Sequence, residues 1–127
     1  MREVISTNDS PTPIGTYSPG IKTDNLIFTS GQIAINPETG EMVQDDFASE
    51  IRQAMDNLKA IIEAGGSSMN KIVKITVYLT DLKNYDILNR VFSVYFTDEL
   101  PARSAVEVSA LPKGANVEIE AIALVEK

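Results

Sequence analysis

PARSAVEV, at residues 101–108, predicts a short β-strand with a single arginine, Arg103. Side chains of an extended segment alternate between two faces, so Arg103 shares one face with Ala105, Glu107 and Ser109. The opposite face carries small or apolar residues and is expected to be the core side; it consists of Ala102, Ser104, Val106 and Val108.

The small side chain of Ala105 leaves open space beside the Arg103 guanidinium. A guanidinium has a planar set of donors that matches a carboxylate in a bidentate way, so this face suits an anion. The sequence equally allows a surface arginine that pairs with Glu107 or another nearby acid. Both interpretations remain open from this strand alone.

A turn at residues 113–116 leads into a second predicted strand at residues 117–125. Glu118 and Glu120 fall on one face together with aliphatic residues, while the other face is entirely apolar. Carboxyl groups beside aliphatic side chains indicate a covered site. Acids on a solvent-facing edge would give the same pattern, so this alternative also stays open.

A long amphipathic helix is predicted well before the arginine strand. Apolar residues recur at intervals of three and four from Phe47 until a glycine stop at residues 65–66. Asp45 or Asp46 can cap its first turn. The other face of the helix, which includes Glu50, is expected to be solvated surface.

A strand at residues 72–79 and a second helix complete the middle of the chain. The helix is predicted to begin near Asp81 or Asn84 and to end at residues 98–99, because Leu100 precedes a proline. Asn89 lies at the edge of its apolar stripe. A polar residue at that position either serves the helix itself or contacts a ligand.

The N-terminal part contains a further predicted strand and one notable aromatic residue. Residues 26–33 are rich in strand formers, and Gly31 indicates a bulge or the close approach of a ligand or of a packed neighbour. Tyr17 offers both a flat ring and a hydroxyl, which suits either packing or a binding site.

The order of elements is strands, helix, strand, helix and strands. It predicts an α+β fold: a single two-layer domain over residues 1–127 with both helices packed on one face of the sheet. The second face of the strand at residues 72–79 is rich in hydroxyl groups rather than in charges. That face therefore suits contact with another subunit.

Composition excludes several classes of function. Net charge is −7, with 11 Lys and Arg against 18 Asp and Glu, which argues against a nucleic-acid partner. The chain has no Cys and no His, which removes thiolate nucleophiles, Ser-His-Asp triads and the usual zinc ligands. No apolar run approaches a membrane span, so we expect no membrane partner and a cytoplasmic location.

Four segments, in the same order, resemble the Rid family, also called YjgF-like: residues 14–18, 29–33, 101–108 and 117–123. The resemblance runs nearly from end to end. It implies the YjgF-like fold, with a mixed β-sheet, and a homotrimer with the helices outside. It also implies three active sites in clefts between subunits.

The resemblance assigns roles by motif position. Arg103 matches the arginine that grips the substrate carboxylate, and Glu118 matches the acid that positions or activates water. The remaining matches to substrate-binding positions are Tyr17, Ser30, Gly31, Asn89 and Ala105. Ala105 stands where the family often has cysteine, which leaves its backbone N–H as the available donor.

The RidA branch of this family comprises imine and enamine deaminases. The implied activity is hydrolysis of 2-imino and 2-enamino acids, such as 2-aminoacrylate, 2-iminopropanoate and 2-iminobutanoate, to 2-oxo acids and ammonia. It needs no metal and no cofactor. The alternative is a small-carboxylate-binding regulatory or chaperone-like module without catalysis, and a nuclease is a weaker alternative because of the negative charge.

Overall fold

Apolar patterns with the periods of strands and helices alternate along the chain, and the computed structural model, which describes residues 1–125, shows the elements they form. The strands are β1 (Glu3–Ile5), β2 (Gly20–Lys22), β3 (Leu26–Thr29), β4 (Ile72–Leu79), β5 (Ala102–Glu107) and β6 (Val117–Leu124). The helices are α1 (Phe47–Ala64) and α2 (Tyr85–Tyr95).

The strands form one sheet in the order β1-β2-β3-β6-β4-β5. The edge strand β5 runs parallel to β4, and the other neighbouring pairs are antiparallel. Both helices cover the same face of this sheet, so the predicted α+β fold with a mixed sheet is confirmed. Within residues 1–125, no helix is both long enough and apolar enough to cross a membrane.

Helix α1 has clear signals at both ends. The Asp46 side chain accepts a hydrogen bond from the Ser49 N–H at 2.7 Å, so Asp46 rather than Asp45 is the N-cap. At the other end Gly66 adopts φ +88°, and the N–H groups of residues 66 and 67 donate to the carbonyls of Glu63 and Ile62. This pairing is a Schellman motif, and it confirms the predicted glycine stop.

The core lies between the helices and one face of β4 and β6. Ile75, Val77 and Leu79 of β4 are fully buried, as are alternate residues of β6. From α1 the completely buried apolar side chains are Ile51, Ala54, Met55, Leu58, Ile61 and Ile62. The opposite face of the sheet is half-buried and carries Thr76, Tyr78, Glu118 and Glu120; we call it the open face.

The predicted orientation of the arginine strand was wrong. Ala102, Ser104 and Val106 are exposed on the open face, whereas Arg103 and Ala105 are half-buried on the helix side. Arg103 is paired with Ile75, and Ala105 with Val77, which fixes this orientation.

Three further expectations need correction. Helix α2 ends at Tyr95 rather than at residues 98–99, because the backbone of Phe96 is already extended. Strand β3 ends at Thr29 rather than at residue 33, although Gln32 forms an isolated bridge with Ile119. Glu50 was expected on the solvated face of α1 but is 1% exposed, and its carboxylate accepts hydrogen bonds from the backbone and side-chain N–H groups of Asn116.

Candidate active site

The Arg103 guanidinium lies against aromatic residues of α2. Its carbon is 5.2 Å from the centre of the Tyr85 ring and 5.6 Å from that of Phe92. The guanidinium also donates a hydrogen bond to the Tyr85 hydroxyl at 2.7 Å. These contacts orient the cation through ring stacking and one neutral acceptor, and they leave most of its five N–H groups available.

The expected alternative, in which Arg103 pairs with Glu107, is wrong. The Glu107 carboxylate accepts a hydrogen bond from the Leu82 N–H at 3.0 Å. Within residues 1–125, the one salt bridge joins the Met1 amino group to Asp24. Arg103 is therefore a cation without a carboxylate partner in the described part of the chain, which suits an external anion.

A cavity of about 390 Å³ opens beside the guanidinium. Its walls are Ile75, Asn89, Phe92, Ser93, Phe96, Leu100, Pro101 and Arg103. Asn89 is exposed and shares this cavity with Arg103, so the structure brings together two of the residues that the sequence singled out. The mixture of one cation, one amide and apolar walls is typical of a pocket for a small organic acid.

Ala105 lies two positions further along β5, at the free edge of the sheet. The Val108 N–H donates to the Leu79 carbonyl at 2.8 Å, so the even-numbered residues of β5 direct their backbone groups toward β4. The backbone N–H of Ala105 consequently points to the free edge, where an added ligand can reach it. This geometry agrees with a donor role for that N–H.

Glu118 belongs to a second group of residues, at the junction of β6 with the segment that follows β3. A Cβ atom added to Gly31 would overlap the Glu118 Oε2 and lie 2.7 Å from its Cδ. Gly31 therefore gives the carboxyl group its space, as its predicted close approach required. Burial of the carboxyl, with a smaller contribution from the charge of Glu120, raises the pKa of Glu118.

Tyr17 and Ser30 border this second group. The Tyr17 hydroxyl accepts a hydrogen bond from the Ile14 N–H at 3.2 Å, and the Tyr17 side chain is 46% exposed. The Ser30 hydroxyl donates to the Ser18 carbonyl at 2.6 Å, which ties the Tyr17 loop to β3. Tyr17, Gly31 and Glu118 line a narrow cavity of about 40 Å³, which is enough for a water molecule.

The two groups lie on opposite faces of the sheet. Arg103 is paired with Ile75, and Ile75 is paired with Ala121, on the helix side of the sheet. Glu118 is paired with Tyr78 on the open face. One protomer thus places Arg103 and Asn89 at one cavity, with Ala105 further along β5, and Tyr17, Gly31 and Glu118 at another. Ser30 belongs with the second group through its hydrogen bond to the Ser18 carbonyl.

Sequence reasoning missed Tyr85 and Phe92 as neighbours of the arginine. Phe92 falls within the apolar stripe of α2, where packing is the simpler expectation, and Tyr85 had no predicted role. Their spacing of seven residues places them two turns apart on the same side of α2, and this spacing could have signalled a shared aromatic surface. Within residues 1–125 there is no group of three or more acidic side chains arranged to hold a metal ion.

Comparisons with known proteins find similar sequences and similar structures over nearly the whole chain. The family model described as Endoribonuclease L-PSP matches residues 7–125. A RutC family protein of Pyrococcus horikoshii is 51% identical over 126 residues, which cover 99% of this chain and 100% of the relative. The 2-iminobutanoate/2-iminopropanoate deaminase of Escherichia coli K12 is 46% identical, with 98% of each chain covered. The crystal structure of RidA from an Antarctic Psychrobacter superposes with a TM-score of 0.94 at 44% identity, covering 97% of this chain and 99% of the other.

Proposed function

Because the chain belongs to the Endoribonuclease L-PSP family, which is the YjgF/Rid family, we propose that it hydrolyses small 2-imino acids to 2-oxo acids and ammonia. The 2-enamino acids, such as 2-aminoacrylate, enter the reaction as their imine tautomers. The relatives named as deaminases supply the substrate class, 2-iminobutanoate and 2-iminopropanoate.

Arg103 binds the substrate carboxylate in this proposal. The net charge of −7 repels small anions, so a local cation is required to hold one. The guanidinium has no carboxylate partner within residues 1–125, and its cavity has room for a small acid. Asn89 and the backbone N–H of Ala105 add donors around the same ligand.

Glu118 acts as the general base and general acid in this proposal. Water attacks the imine carbon of the iminium as Glu118 takes one of its protons, the electron pair of the C=N bond moves to nitrogen, and the protonated Glu118 then returns its proton to that nitrogen. The resulting carbinolamine carries a protonated nitrogen. Its C–N bond breaks as its hydroxyl proton passes to the Glu118 carboxylate and on to the departing ammonia, which yields the 2-oxo acid and ammonium. The raised pKa of Glu118 makes its carboxylate a stronger base than an ordinary glutamate, which favours taking a proton from water, and the adjoining cavity accommodates a water.

One observation supports a site shared between subunits most strongly: Arg103 and Glu118, to which this proposal assigns the carboxylate contact and the proton transfer, lie on opposite faces of the sheet. We propose a homotrimer in which the Arg103 group of one subunit faces the Glu118 group of the next. The open face supports this assembly, because it exposes apolar side chains that a second subunit can cover. Phe28, Val106 and Leu124 are 41%, 43% and 44% exposed on it.

The decisive experiment measures ammonia and 2-oxo acid release from freshly generated 2-iminopropanoate and 2-iminobutanoate. The wild type is compared with Arg103→Ala, with Glu118→Gln and with Glu63→Gln, an exposed acid of α1 that serves as control. We expect kcat/KM to fall by roughly a hundredfold when Arg103 is removed, because a charge-assisted carboxylate contact is lost. Absence of acceleration by the wild type would refute the deaminase proposal.

The carboxylate-binding module without catalysis is tested by the same variants. Capture of a 2-oxo acid requires Arg103, whereas hydrolysis also requires Glu118. If the wild type binds 2-oxobutanoate but hydrolyses no imine, and Glu118→Gln binds it equally well, the binding module is the better description. Degradation of RNA by the wild type, assayed in parallel, would instead favour the activity for which the family model is named.

A further inference from the structure

Helix α1 carries a row of polar side chains on its inner face. Glu50 and Asn57 are each 1% exposed, and Gln53 lies between them on the same side of the helix. None of the three lines either cavity of the candidate site. A buried acid and a buried amide are unfavourable unless their hydrogen bonds are made. The partners of these side chains therefore indicate what the row does.

Asn57 holds the segment that follows Gly31. Its amide nitrogen donates to the carbonyls of Ile33 and Ile35 at 3.1 and 2.8 Å. Its amide oxygen accepts a hydrogen bond from the Gln53 side chain at 2.9 Å. Asn57 thus fixes an irregular stretch of backbone that has left β3 and has few ladder hydrogen bonds of its own.

Glu50 holds the segment that leads to Glu118. Its two carboxylate oxygens accept hydrogen bonds from the backbone and side-chain N–H groups of Asn116 at 2.7 and 2.9 Å. Gln44 bridges the same region, since its amide donates to Glu50 and to the Gly114 carbonyl. The start of β6 is consequently tied to α1 only two residues before Glu118.

The two segments are also bonded to each other. Gln32 and Ile119 exchange backbone hydrogen bonds at 2.8 and 3.0 Å, directly beside Gly31 and Glu118. We infer that the row Glu50–Gln53–Asn57 is a positioning device: it sets both backbone segments so that the Glu118 carboxyl fits against Gly31. Its catalytic consequence rests on the proposed function, but the position of Glu118 can be measured without it.

The test separates binding from catalysis. We expect Asn57→Ala and Glu50→Leu to lower kcat for 2-iminobutanoate by roughly tenfold to a hundredfold, because small displacements of a reacting group are costly. KM should stay unchanged, because these side chains do not contact the Arg103 group. Glu50→Gln should recover most of kcat, since its amide oxygen can still accept from the Asn116 N–H.

The matched control is Ile62→Ala, which truncates a fully buried side chain of the same helix, five residues beyond Asn57 and outside the polar row. It should lower Tm without lowering kcat at a temperature where all variants are folded. The pKa of Glu118, measured by NMR titration of its carboxyl group, is a readout independent of activity. In Asn57→Ala this pKa should lie closer to the ordinary value of 4.5 than in the wild type. The groups facing it, Glu120 and Tyr78, are unchanged in this variant.

Two results would overturn the inference. The first is a kcat in Asn57→Ala and Glu50→Leu equal to that of Ile62→Ala. The second is a Glu118 titration that is the same in Asn57→Ala and in wild type. If the wild type itself hydrolyses no imine, the proposed function fails, and the titration alone decides whether the row positions Glu118.

Discussion

Arg103 acquires its suitability for an anion from the residues around it. An exposed arginine in an acidic protein would pair with any of several carboxylates, at little gain in free energy. Here the rings of Tyr85 and Phe92 fix the plane of the guanidinium, and Glu107 is occupied with the Leu82 N–H. The cation is therefore oriented before a ligand arrives, which lowers the entropy cost of binding.

Tyr85 is the residue that tests this orientation. In Tyr85→Phe the ring remains and only the hydroxyl that accepts from Arg103 is lost. We expect KM for 2-iminobutanoate to rise about fivefold, equivalent to about 1 kcal/mol, because the bond is partly exposed to water. The value of kcat should change little, since the carboxylate is held equally in ground and transition states.

Steady-state kinetics on the wild type and Tyr85→Phe check this prediction. Binding of 2-oxobutanoate by calorimetry provides a measurement without turnover, and its Kd should rise by the same factor. A fall in kcat at constant KM would contradict the role assigned to Tyr85.

At the scale of elements, the N-cap of α1 gives a prediction with a defined pH dependence. The Ser49 N–H bond lowers the pKa of Asp46 below its ordinary value of 3.8. A lowered pKa means that the stabilisation is present above pH 3.8 and is lost as the pH falls through the value in the folded protein. Asp46→Ala should therefore lower Tm at pH 7, with a smaller difference from wild type at strongly acidic pH.

Thermal unfolding followed by circular dichroism across pH measures this difference. Asp45→Ala is the matched control, because Asp45 is the exposed neighbour that does not cap the helix. If both variants lower Tm equally at pH 7, the effect would be one of general charge rather than of capping.

The contact between Gly31 and β6 gives a second prediction at this scale. In Gly31→Ala the new Cβ would overlap the Glu118 carboxyl, whose side chain can move away. We expect kcat/KM to fall by roughly tenfold to a hundredfold while Tm changes little. A double-mutant cycle with Glu118→Ala checks the cause, because Gly31→Ala should have no further effect once that carboxyl is absent.

The elements also show how far the sequence alone can lead. Helix α1 was predicted from Phe47 to its glycine stop because a 3.6-residue apolar period and a capping acid act locally. Both acids of β6 were assigned to the correct face, because side chains of a strand alternate and the other face of β6 is entirely apolar. The sequence also predicted that a neighbouring group approaches the Gly31 backbone closely, but it did not identify that group as the Glu118 side chain.

Other features depend on contacts between distant segments. Ala102, Ser104 and Val106 form the more apolar face of β5, so alternation along the strand assigned that face to the core. In the structure Arg103 is paired with the buried Ile75 and lies against rings of α2, and the strand therefore turns its other face to the helices. Glu50 is charged and was assigned to solvent. Its burial depends on Asn116, 66 residues away, which no periodicity can report.

For the whole molecule, the separation of the two residue groups is the main architectural fact. Arg103 lies on the helix side of the sheet and Glu118 on the open face, so under the proposed function one folded chain presents two incomplete halves of a site. Since rearranging a six-stranded sheet would break its core, association of subunits is the simpler way to join the halves. The resemblance implied such a site, and the topology supplies a physical reason for it.

Mixed assemblies test this composite site. Arg103→Ala and Glu118→Gln should each be nearly inactive alone, but a mixture that is dissociated and reassembled contains some sites with an intact Arg103 from one subunit and an intact Glu118 from the next. For random assembly from equal amounts, about one quarter of the sites are intact, so about one quarter of wild-type activity should return. A mixture that is never dissociated is the control and should stay inactive.

The size of the recovery distinguishes between architectures. If both residues acted within one protomer, every site would carry one of the two substitutions, and reassembly would restore no activity. Light scattering on the same samples should give the trimer that the family resemblance implies. A closed ring of any size would place each Arg103 group against one Glu118 group and leave no half unmatched. If activity returned in an oligomer of another size, the shared site would stand and the trimer would be wrong.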